Sequence, residues 1–319
     1  MKKDNKIKTI LIGFGRIAYG YNIYNKKNIL THYKALKNNK RFSLIGVIEN
    51  DNMRREKYSK KLKLKTFKKL SEIKGKLFPK FAIISSNTNS HLNLIKDILQ
   101  YHPSIKIILC EKPMGSNFLK AKKIVDDCKK KKVKLFVNYM RISDPGVNKV
   151  KRIIKKKFHS QIKGTVFYDG STLNQASHLI NLIQLWLGKV LNIKKILIDK
   201  KENKNYGKSF LLKFKNANII FIGLNIKNFT YASIELISAR GRLLYEERGE
   251  KISFQKIEKD KIFGEDLMPS KKKINIKNDL INYQKNVLKQ ISFNDNNQKY
   301  NLCSGVKALE TLKVIDKLK

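Results

Sequence analysis

The sequence predicts an α/β protein in which an N-terminal doubly wound parallel sheet is followed by an α+β domain with a large, mostly antiparallel, open sheet. In the first part, short β-branched runs alternate with segments of helical periodicity, which is typical of βαβ units whose parallel strands are buried on both faces. After Asp144-Pro145-Gly146, strand candidates follow one another across short polar turns, as in an antiparallel sheet. This change predicts one domain over residues 1–138 and a second over 139–319.

The individual elements follow from apolar runs that end in polar or glycine residues. In the first domain, strands are predicted at Ile7–Ile12, Phe42–Ile48, 81–85, 105–110 and 133–137, with helices at 92–99 and 117–130. In the second domain, helices are predicted at 147–158 and 174–187, with strands at Ile162–Tyr168, 193–199, 208–215, 218–225, 230–239 and 242–256. Residues 257–278 read as a loop, and a last helix over 302–318 could pack back on the first domain.

The charge of the chain is strongly positive: 70 Lys and Arg residues against 25 Asp and Glu residues leave a formal net charge of +45 over 319 residues. With 41% hydrophobic residues, the chain is not a disordered basic tail. Only nine of the basic residues are Arg, the side chain that pairs bidentately with guanine and phosphate, and the lysines are spread over the whole sequence. We attribute the excess to AT-rich codons and do not expect a nucleic-acid partner.

The cysteines indicate a reducing compartment. Cys110, Cys128 and Cys303 form neither an even disulfide set nor closely paired zinc ligands. The apolar run at 10–12 is too short for a signal-peptide core, and no stretch reaches the roughly 18 apolar residues of a membrane span. We expect a cytoplasmic protein without a membrane partner.

A glycine turn follows the first predicted strand. In TILIGFGRIA, Gly13, Gly15 and Ala18 form G-x-G-x-x-A, the pattern with which a strand-to-helix turn approaches a dinucleotide pyrophosphate. The alternative is a turn that merely connects strand and helix, but the position in the first βα unit favours cofactor binding. The predicted cofactor-binding residues of this turn are Gly13, Phe14, Gly15, Arg16 and Ile17.

The second predicted strand ends near an acidic residue, Glu49. A carboxylate there can accept hydrogen bonds from ribose hydroxyls and would repel a 2′-phosphate, so NAD is favoured over NADP. The 36 residues from Gly13 exceed the usual spacing of about 20, and an insertion over 19–30, before a helix resumes at Thr31, accounts for the excess. Two alternatives remain open: Glu49 is an ordinary strand-end carboxylate, or Arg16 permits NADP binding through its charge.

Four motifs together resemble the Gfo/Idh/MocA oxidoreductases: GFGRIA, ISSNTNSH, CEKPMG and GSTLNQASHLINLIQLWLG. They occur in the family's order from Ile7 to about Gly188, and EKP is the most specific. The resemblance implies a Rossmann domain, a C-terminal domain whose open sheet often forms a dimer or tetramer, and NAD(P)-dependent hydride transfer on sugars or related polyols. N-x-x-S-H further resembles a branch linked to surface-polysaccharide sugars.

The resemblance implies two catalytic residues. Lys112 of EKP would lie near the nicotinamide, hydrogen-bond the reacting substrate oxygen and stabilise the developing alkoxide, while Glu111 would contact the cofactor ribose. A cis Lys-Pro bond is common in the family at this point. His178, near the start of the 174–187 helix, would exchange the hydroxyl proton. The family often has Asp four residues earlier, where Asn174 could bind substrate or orient His178 but cannot be a carboxylate base.

Further polar residues follow the strands predicted at 81–85 and 133–137. Around the cofactor the resemblance places Ser86, Asn87 and His91, although Asn87 replaces a common proline. At the domain junction, Asn138, Tyr139 and Arg141 could bind substrate hydroxyls or a phosphate; Arg141 could instead pair with Asp144.

The remaining histidines show no metal-binding pattern. His32 opens a predicted helix and could line the insertion near the cofactor, while His102 and His159 are expected in exposed, polar surroundings. We predict no metal site. The predicted activity is an NAD-dependent dehydrogenase or reductase of a sugar, nucleotide sugar or cyclitol. The alternatives are an enzyme that recycles bound NAD during epimerisation or glycoside cleavage, and a non-catalytic cofactor-binding or nucleic-acid-associated basic protein.

Overall fold

The protein folds as two compact units in a computed structural model that describes residues 6–24, 27–73, 78–158, 161–196, 207–292 and 300–318. The first unit comprises Met1–Ser143 and Ile281–Glu310, and the second comprises Asp144–Leu280 and Thr311–Lys319. The chain therefore returns to the first unit after completing most of the second, and residues of the last helix are divided between the two.

The described strands and helices are given in chain order. The strands are β1 (Ile7–Ile12), β2 (Phe42–Ile48), β3 (Thr66–Phe67), β4 (Phe81–Ile84), β5 (Ile107–Cys110), β6 (Lys134–Val137), β7 (Ile162–Tyr168), β8 (Asn192–Ile196), β9 (Ser209–Lys213), β10 (Ala217–Gly223), β11 (Ala232–Ser238), β12 (Gly241–Glu246), β13 (Lys251–Lys259), β14 (Leu267–Pro269), β15 (Ile274–Asn275) and β16 (Cys303–Ser304). The α-helices are α1 (Tyr21–Tyr24), α2 (His32–Lys37), α3 (Asn52–Leu62), α4 (His91–Tyr101), α5 (Phe118–Lys130), α6 (Pro145–Lys157), α7 (Ser177–Leu187), α8 (Tyr283–Ser292) and α9 (Gly305–Lys317).

The sheet of the first unit has the strand order β16-β6-β5-β4-β1-β2-β3. Its pairs are parallel except for β16, which runs antiparallel to β6. The central strands are buried on both faces: Ile10, Leu11, Ile83 and Ile84 have no exposed surface, as expected for a parallel sheet between helices. The order reverses between β1 and β4, and ligands bind doubly wound sheets at the carboxyl edge of such a switch point.

The sheet of the second unit has the order β14-β13-β12-β11-β7-β10-β9-β8, with β15 paired to β13. Its pairs are antiparallel except for β7 with β10. Helix α6 begins where Asp144 accepts a hydrogen bond from the Val147 amide at 3.0 Å and Pro145 occupies the first turn. Trp186 of α7 packs edge-on against Tyr245 of β12, with ring centroids 6.0 Å apart. The predicted fold class is confirmed.

The other face of this sheet retains exposed apolar side chains. On the three adjoining strands β11, β7 and β10, Ile237, Phe167 and Ile220 are 43%, 37% and 39% exposed, while their neighbours along each strand point to the opposite face and are buried. Because successive side chains of a strand point to opposite faces, this sheet has one buried face and one face on which these three apolar side chains are exposed.

Several element predictions were wrong in detail. The strand predicted at 242–256 is two strands, β12 and β13, joined by a turn at Gly249, whose φ of +100° suits glycine. The stretch 257–278 is not only loop, since it contains β14 and β15, which both pair with β13. Cys303 and Ser304 form a strand before α9 begins at Gly305. The end of the strand predicted at 193–199 lies outside the described residues.

Candidate functional site

Gly13 is required by the fold at the end of β1. Its φ is +81°, a conformation that residues with a Cβ rarely adopt. An added Cβ would also lie 2.8 Å from the Ser86 backbone nitrogen. Gly13 thus lets the turn after β1 pack against the segment that follows β4.

Gly15 has a different environment, although it belongs to the same motif. Its φ is −80°, and a Cβ built on it meets nothing within 4 Å. The fold itself therefore does not require glycine here, whereas a pyrophosphate approaching the backbone would. This open cradle fits a dinucleotide cofactor, which Gly13 and Gly15 would hold through the backbone.

The segment after the turn differs from the long first helix typical of this fold. Arg16–Gly20 forms a single π-helical turn in which the amides of Tyr19 and Gly20 donate to the Gly15 carbonyl, at 3.0 and 3.2 Å. The short helix α1 follows, and α2 begins at His32 with Thr31 as its N-cap, so the predicted insertion over 19–30 contains short helical turns. Arg16 is exposed and Ile17 half-buried at the start of the π turn, whose first amides have no carbonyl one turn earlier.

Glu49 lies directly against the glycine turn. It is only 4% exposed, and its Oε2 accepts a hydrogen bond from the Phe14 amide at 2.9 Å. Its Oε1 accepts from the Asp51 amide at 3.1 Å and from Arg54 at 3.3 Å. The carboxylate therefore stabilises the glycine turn through the Phe14 amide. The nearby Arg54 cation was not identified from the sequence.

The Phe14 side chain is buried and belongs to an aromatic cluster under the glycine turn. Its ring stacks on Tyr19 with centroids 5.4 Å apart, and meets Tyr33 and Tyr58 edge-on at 5.8 and 5.0 Å. Since its amide is bonded to Glu49, Phe14 fixes the shape of the turn rather than presenting a side chain to a ligand.

The loop after β4 carries the predicted residues Ser86, Asn87 and His91. Ser86 is half-buried and its Oγ lies 2.8 Å from Ser90 Oγ, while Asn87 is exposed. His91 is fully buried, with Nε2 3.1 Å from the Ser86 carbonyl and Nδ1 3.3 Å from the Met114 carbonyl. Burial lowers the pKa of His91 against the opposing effect of these carbonyls. His91 therefore connects the loop after β4 to the loop after β5 from a buried position.

Lys112 follows the carboxyl end of β5, and the peptide bond to Pro113 is cis. Burial lowers the pKa of Lys112, the Glu111 carboxylate raises it and the Arg141 charge lowers it, with a net decrease. A less hydrated ammonium at this position is a strong hydrogen-bond donor toward an oxygen that gains negative charge.

Glu111 is held by residues from distant parts of the chain. Its Oε1 lies 2.8 Å from His32 Nε2 and accepts a hydrogen bond from Asn138 Nδ2 at 2.6 Å. Asn138 Nδ2 also lies 3.3 Å from Gln284 Oε1 of α8. The roles of His32 and Gln284 could not be found from the sequence, because these residues are 79 and 173 positions away from Glu111.

Tyr139 and Arg141 follow β6 in the same unit. Tyr139 is 3% exposed, so most of its side chain is interior, whereas Arg141 is half-buried and close enough to Lys112 to lower its pKa. The expectation that His102 is exposed was wrong, since His102 is buried with Nε2 3.1 Å from the Leu70 carbonyl. His159 lies outside the described residues.

In the second unit, the helix predicted to begin at Asn174 has two parts. Thr172–Ala176 forms a π-helical turn, and α7 begins only at Ser177. Asn174 is exposed and its amide donates to Ser171 Oγ at 3.3 Å, while His178 is the second residue of α7 and half-buried. The i, i+4 alignment expected for one α-helix therefore does not apply across this junction.

The described residues contain neither a candidate metal cluster nor a candidate membrane span. In that part of the chain, no group of three or more His, Cys, Asp or Glu side chains could hold a metal ion. No helix there is long and apolar enough to cross a membrane.

Residues 7–139 match the model of the GFO_IDH_MocA family, described as an oxidoreductase family with an NAD-binding Rossmann fold. The match covers the glycine turn, the loop after β4 and the EKP motif, and it confirms the resemblance found in the sequence. None of the curated proteins compared with this sequence matches it.

Solved structures share the fold over nearly the whole chain. An NAD-binding oxidoreductase from Klebsiella pneumoniae is 14% identical with a TM-score of 0.77, covering 97% of this chain and 95% of its own. The WlbA dehydrogenase from Bordetella pertussis, in complex with NADH and UDP-GlcNAcA, is 16% identical with a TM-score of 0.73, covering 98% and 94%. UDP-N-acetylglucosamine 3-dehydrogenase GnnA from Acidithiobacillus ferrooxidans is 12% identical with a TM-score of 0.72, covering 98% and 96%.

Proposed function

We propose that this chain, whose residues 7–139 match the model of the Gfo/Idh/MocA family of NAD-binding oxidoreductases, transfers a hydride to or from a hydroxyl- or carbonyl-bearing carbon of a sugar, nucleotide sugar or cyclitol. One observation carries the proposal: the open cradle at Gly15 and the partly desolvated Lys112 lie at the carboxyl edge of the same parallel sheet. The nucleotide-sugar ligand of the WlbA structure favours that substrate class.

The proposed chemistry assigns separate tasks to two side chains. The nicotinamide supplies the hydride acceptor in oxidation. The Lys112 ammonium donates a hydrogen bond to the substrate oxygen, which stabilises negative charge on that oxygen as the carbon–hydrogen bond breaks. His178 takes the hydroxyl proton in oxidation and returns it in reduction. Asn174, Tyr139 and Arg141 provide hydrogen-bonding groups for substrate hydroxyls or a phosphate.

We propose that NAD is preferred to NADP. The buried Glu49 carboxylate contacts the glycine turn, near the expected position of the cofactor ribose, and would repel a 2′-phosphate. Arg54, with a 49% exposed side chain 3.3 Å from that carboxylate, opposes this preference. The balance between the two charges sets the ratio of NADH to NADPH affinities.

A binding titration tests the cofactor assignment. We expect NADH to bind the purified protein and to bind at least roughly tenfold more weakly after Gly15→Val, because the new side chain fills the cradle. Absence of NADH and NADPH binding in the unmodified protein would remove the assignment.

A second experiment tests the reaction. A thermal-shift screen of sugar nucleotides, sugars and cyclitols identifies ligands that stabilise the folded protein, and turnover of each hit is followed by NADH absorbance. Lys112→Ala should abolish turnover, while Lys123→Ala, at an exposed site on α5, should not. Product formation without net NADH change would favour the cofactor-recycling reactions instead. Tight nucleic-acid binding with a steep salt dependence, unaffected by loss of His178, would favour the basic binding protein.

We propose that the open face of the second sheet forms a homo-oligomer. The exposed side chains of Phe167, Ile220 and Ile237 are the type of apolar surface that a second copy covers. Ile237→Lys with Phe167→Lys should lower the mass measured by light scattering, whereas Leu119→Lys, at another exposed apolar site, should not. An unchanged mass would place any interface elsewhere.

A reducing cytoplasm is the compartment we propose. Cys110, Cys128 and Cys303 are free, buried thiols. Burial raises the pKa of Cys128 to about 12, so this thiol is protonated and unreactive at neutral pH.

A further inference from the structure

A cavity lies within the second unit, at the amino ends of the parallel strands β7 and β10. Its volume is about 250 Å³, which corresponds to roughly eight water molecules at about 30 Å³ each and gives room for a small monocyclic molecule. The apolar lining comes from α6, α7 and the first residues of the two strands: Ile154, Phe158, Ile162, Trp186, Leu187 and Ala217. No residue assigned above to the dehydrogenase reaction lines this cavity.

The cavity and the proposed substrate residues lie at opposite ends of the same elements. β7 begins at Ile162 beside the cavity and ends at Tyr168, after which the chain leads to Asn174. α7 has His178 at its first turn and ends at Leu187 beside the cavity. The length of β7 separates the two places by about 20 Å. The cavity is therefore a separate candidate binding site.

Two aromatic side chains in the cavity wall favour a planar ligand. Trp186 is buried, and its indole N–H donates to the Val147 carbonyl at 3.2 Å. The polar atom of the indole is thus bonded within the protein, and the indole offers ring surface to the cavity. Phe158 is also buried, with its ring centroid 6.2 Å from that of Phe254. Aromatic rings pack well against another ring in offset or edge-on arrangements.

The charged residues that line the cavity are both lysines, Lys151 and Lys155, without an Asp or Glu residue among them. Lys155 is exposed and shares the last turn of α6 with Lys156 and Lys157. The carbonyls at the end of a helix carry only about half a negative charge, which three ammonium groups exceed. Asn216, exposed on the turn before β10, adds an amide donor. The charge complementary to this rim is negative.

We propose that this cavity binds a small aromatic carboxylate. The ring lies against Trp186 and Phe158, and the two carboxylate oxygens lie at the rim, where Lys155 and Asn216 carry donors for them. The proposal goes beyond the dehydrogenase function and does not depend on it. It requires the Lys155 charge, to which Lys151 adds.

The fluorescence of Trp186 tests the proposal, because this residue is the one tryptophan of the chain. Hydrocinnamate, a phenyl ring with a carboxylate on a short chain, is titrated into the purified protein. We expect a saturable change in Trp186 emission. The neutral analogue hydrocinnamamide should bind about fivefold more weakly, since it lacks the charge that forms an exposed ion pair.

Three variants separate the cavity from the general positive charge of the chain. Ala217→Leu extends a side chain into the cavity and should abolish the response to both compounds. Lys155→Gln should weaken hydrocinnamate binding about fivefold and leave hydrocinnamamide binding unchanged. Lys123→Gln is the matched control: it removes the same charge from an exposed position on α5 in the first unit and should change neither affinity.

The outcomes decide each part of the proposal. No saturable change at millimolar hydrocinnamate, or a response that survives Ala217→Leu, overturns the binding site. Equal affinities for hydrocinnamate and its amide overturn the recognition of an anion, and tighter binding of phenyl phosphate overturns the carboxylate assignment. If Ala217→Leu does not fold, the exposed substitution Lys155→Glu replaces it and should weaken hydrocinnamate binding by roughly tenfold or more. An unchanged affinity in Lys155→Glu overturns the proposal.

Discussion

The two glycines of the motif should respond differently to the same substitution. Gly13→Ala introduces a Cβ at a φ of +81°, 2.8 Å from the Ser86 nitrogen and 2.9 Å from its Cα. The backbone conformation costs about 1–2 kcal/mol. Overpacking against backbone, which cannot rotate away, costs about 1–3 kcal/mol more. The free energy of unfolding should therefore fall by about 2–5 kcal/mol.

Gly15→Ala is the control for Gly13→Ala in the stability measurement, because we expect it to leave the unfolding free energy nearly unchanged. In the binding measurement, it is the variant that we expect to lose NADH affinity. Its Cβ meets nothing within 4 Å and its φ is −80°, so the unfolding free energy should change by no more than about 0.5 kcal/mol. NADH affinity should fall nevertheless, because the methyl group lies where the pyrophosphate is expected.

Urea unfolding followed by circular dichroism, without cofactor, measures the first effect, and NADH fluorescence titration measures the second. Equal unfolding midpoints for the two variants would refute the described geometry of the turn. A destabilised Gly15→Ala protein with unchanged NADH affinity would show that Gly15 has a structural role only.

Four further predictions concern individual side chains. Lys112→Met should reduce kcat by about 10²–10³-fold, the usual effect of losing one donor to a developing oxyanion, with the NADH dissociation constant unchanged. Because burial lowers the pKa of Lys112, with Glu111 opposing and Arg141 assisting, the protonated donor is lost as pH rises through a pKa below the ordinary lysine value. The alkaline fall in kcat/KM should therefore move to higher pH in Arg141→Met, and a move to lower pH would contradict the assigned charge effect. Glu49→Ser should raise NADPH affinity relative to NADH by about tenfold, since Arg54 remains while the carboxylate is gone, and paired titrations check this. Tyr168→Phe removes the hydroxyl that donates to the Lys208 carbonyl at 2.6 Å and lies 3.3 Å from Thr172 Oγ1, so urea unfolding should show a loss of about 1–2 kcal/mol without a change in NADH binding.

The alternation of elements and the motif positions could be derived from the sequence because both depend on neighbouring residues. The strands β1, β2 and β7 coincide with their predicted ranges, since short apolar runs bounded by polar residues define them locally. The turn at Gly249 and the short strands β14 and β15 were missed, because the pairing that creates them is not encoded by local periodicity.

The candidate site likewise has features that the sequence indicated and features that only the tertiary structure revealed. The glycine turn and Glu49 indicate a dinucleotide cofactor through their residue types and positions, whereas EKP indicates nicotinamide chemistry only through the family resemblance. Three facts required tertiary structure: Gly13 and Gly15 differ in backbone conformation and surroundings, His91 is interior, and His32 is bonded to Glu111.

The sequence by itself indicated the family resemblance, the fold class and a nicotinamide cofactor, because these follow from motifs whose residues are close along the chain. Tertiary structure decided which partners surround each charged group. The state of a buried carboxylate or ammonium depends on atoms a few ångströms away, and here His32 and Gln284 reach the Glu111 network from positions far along the chain.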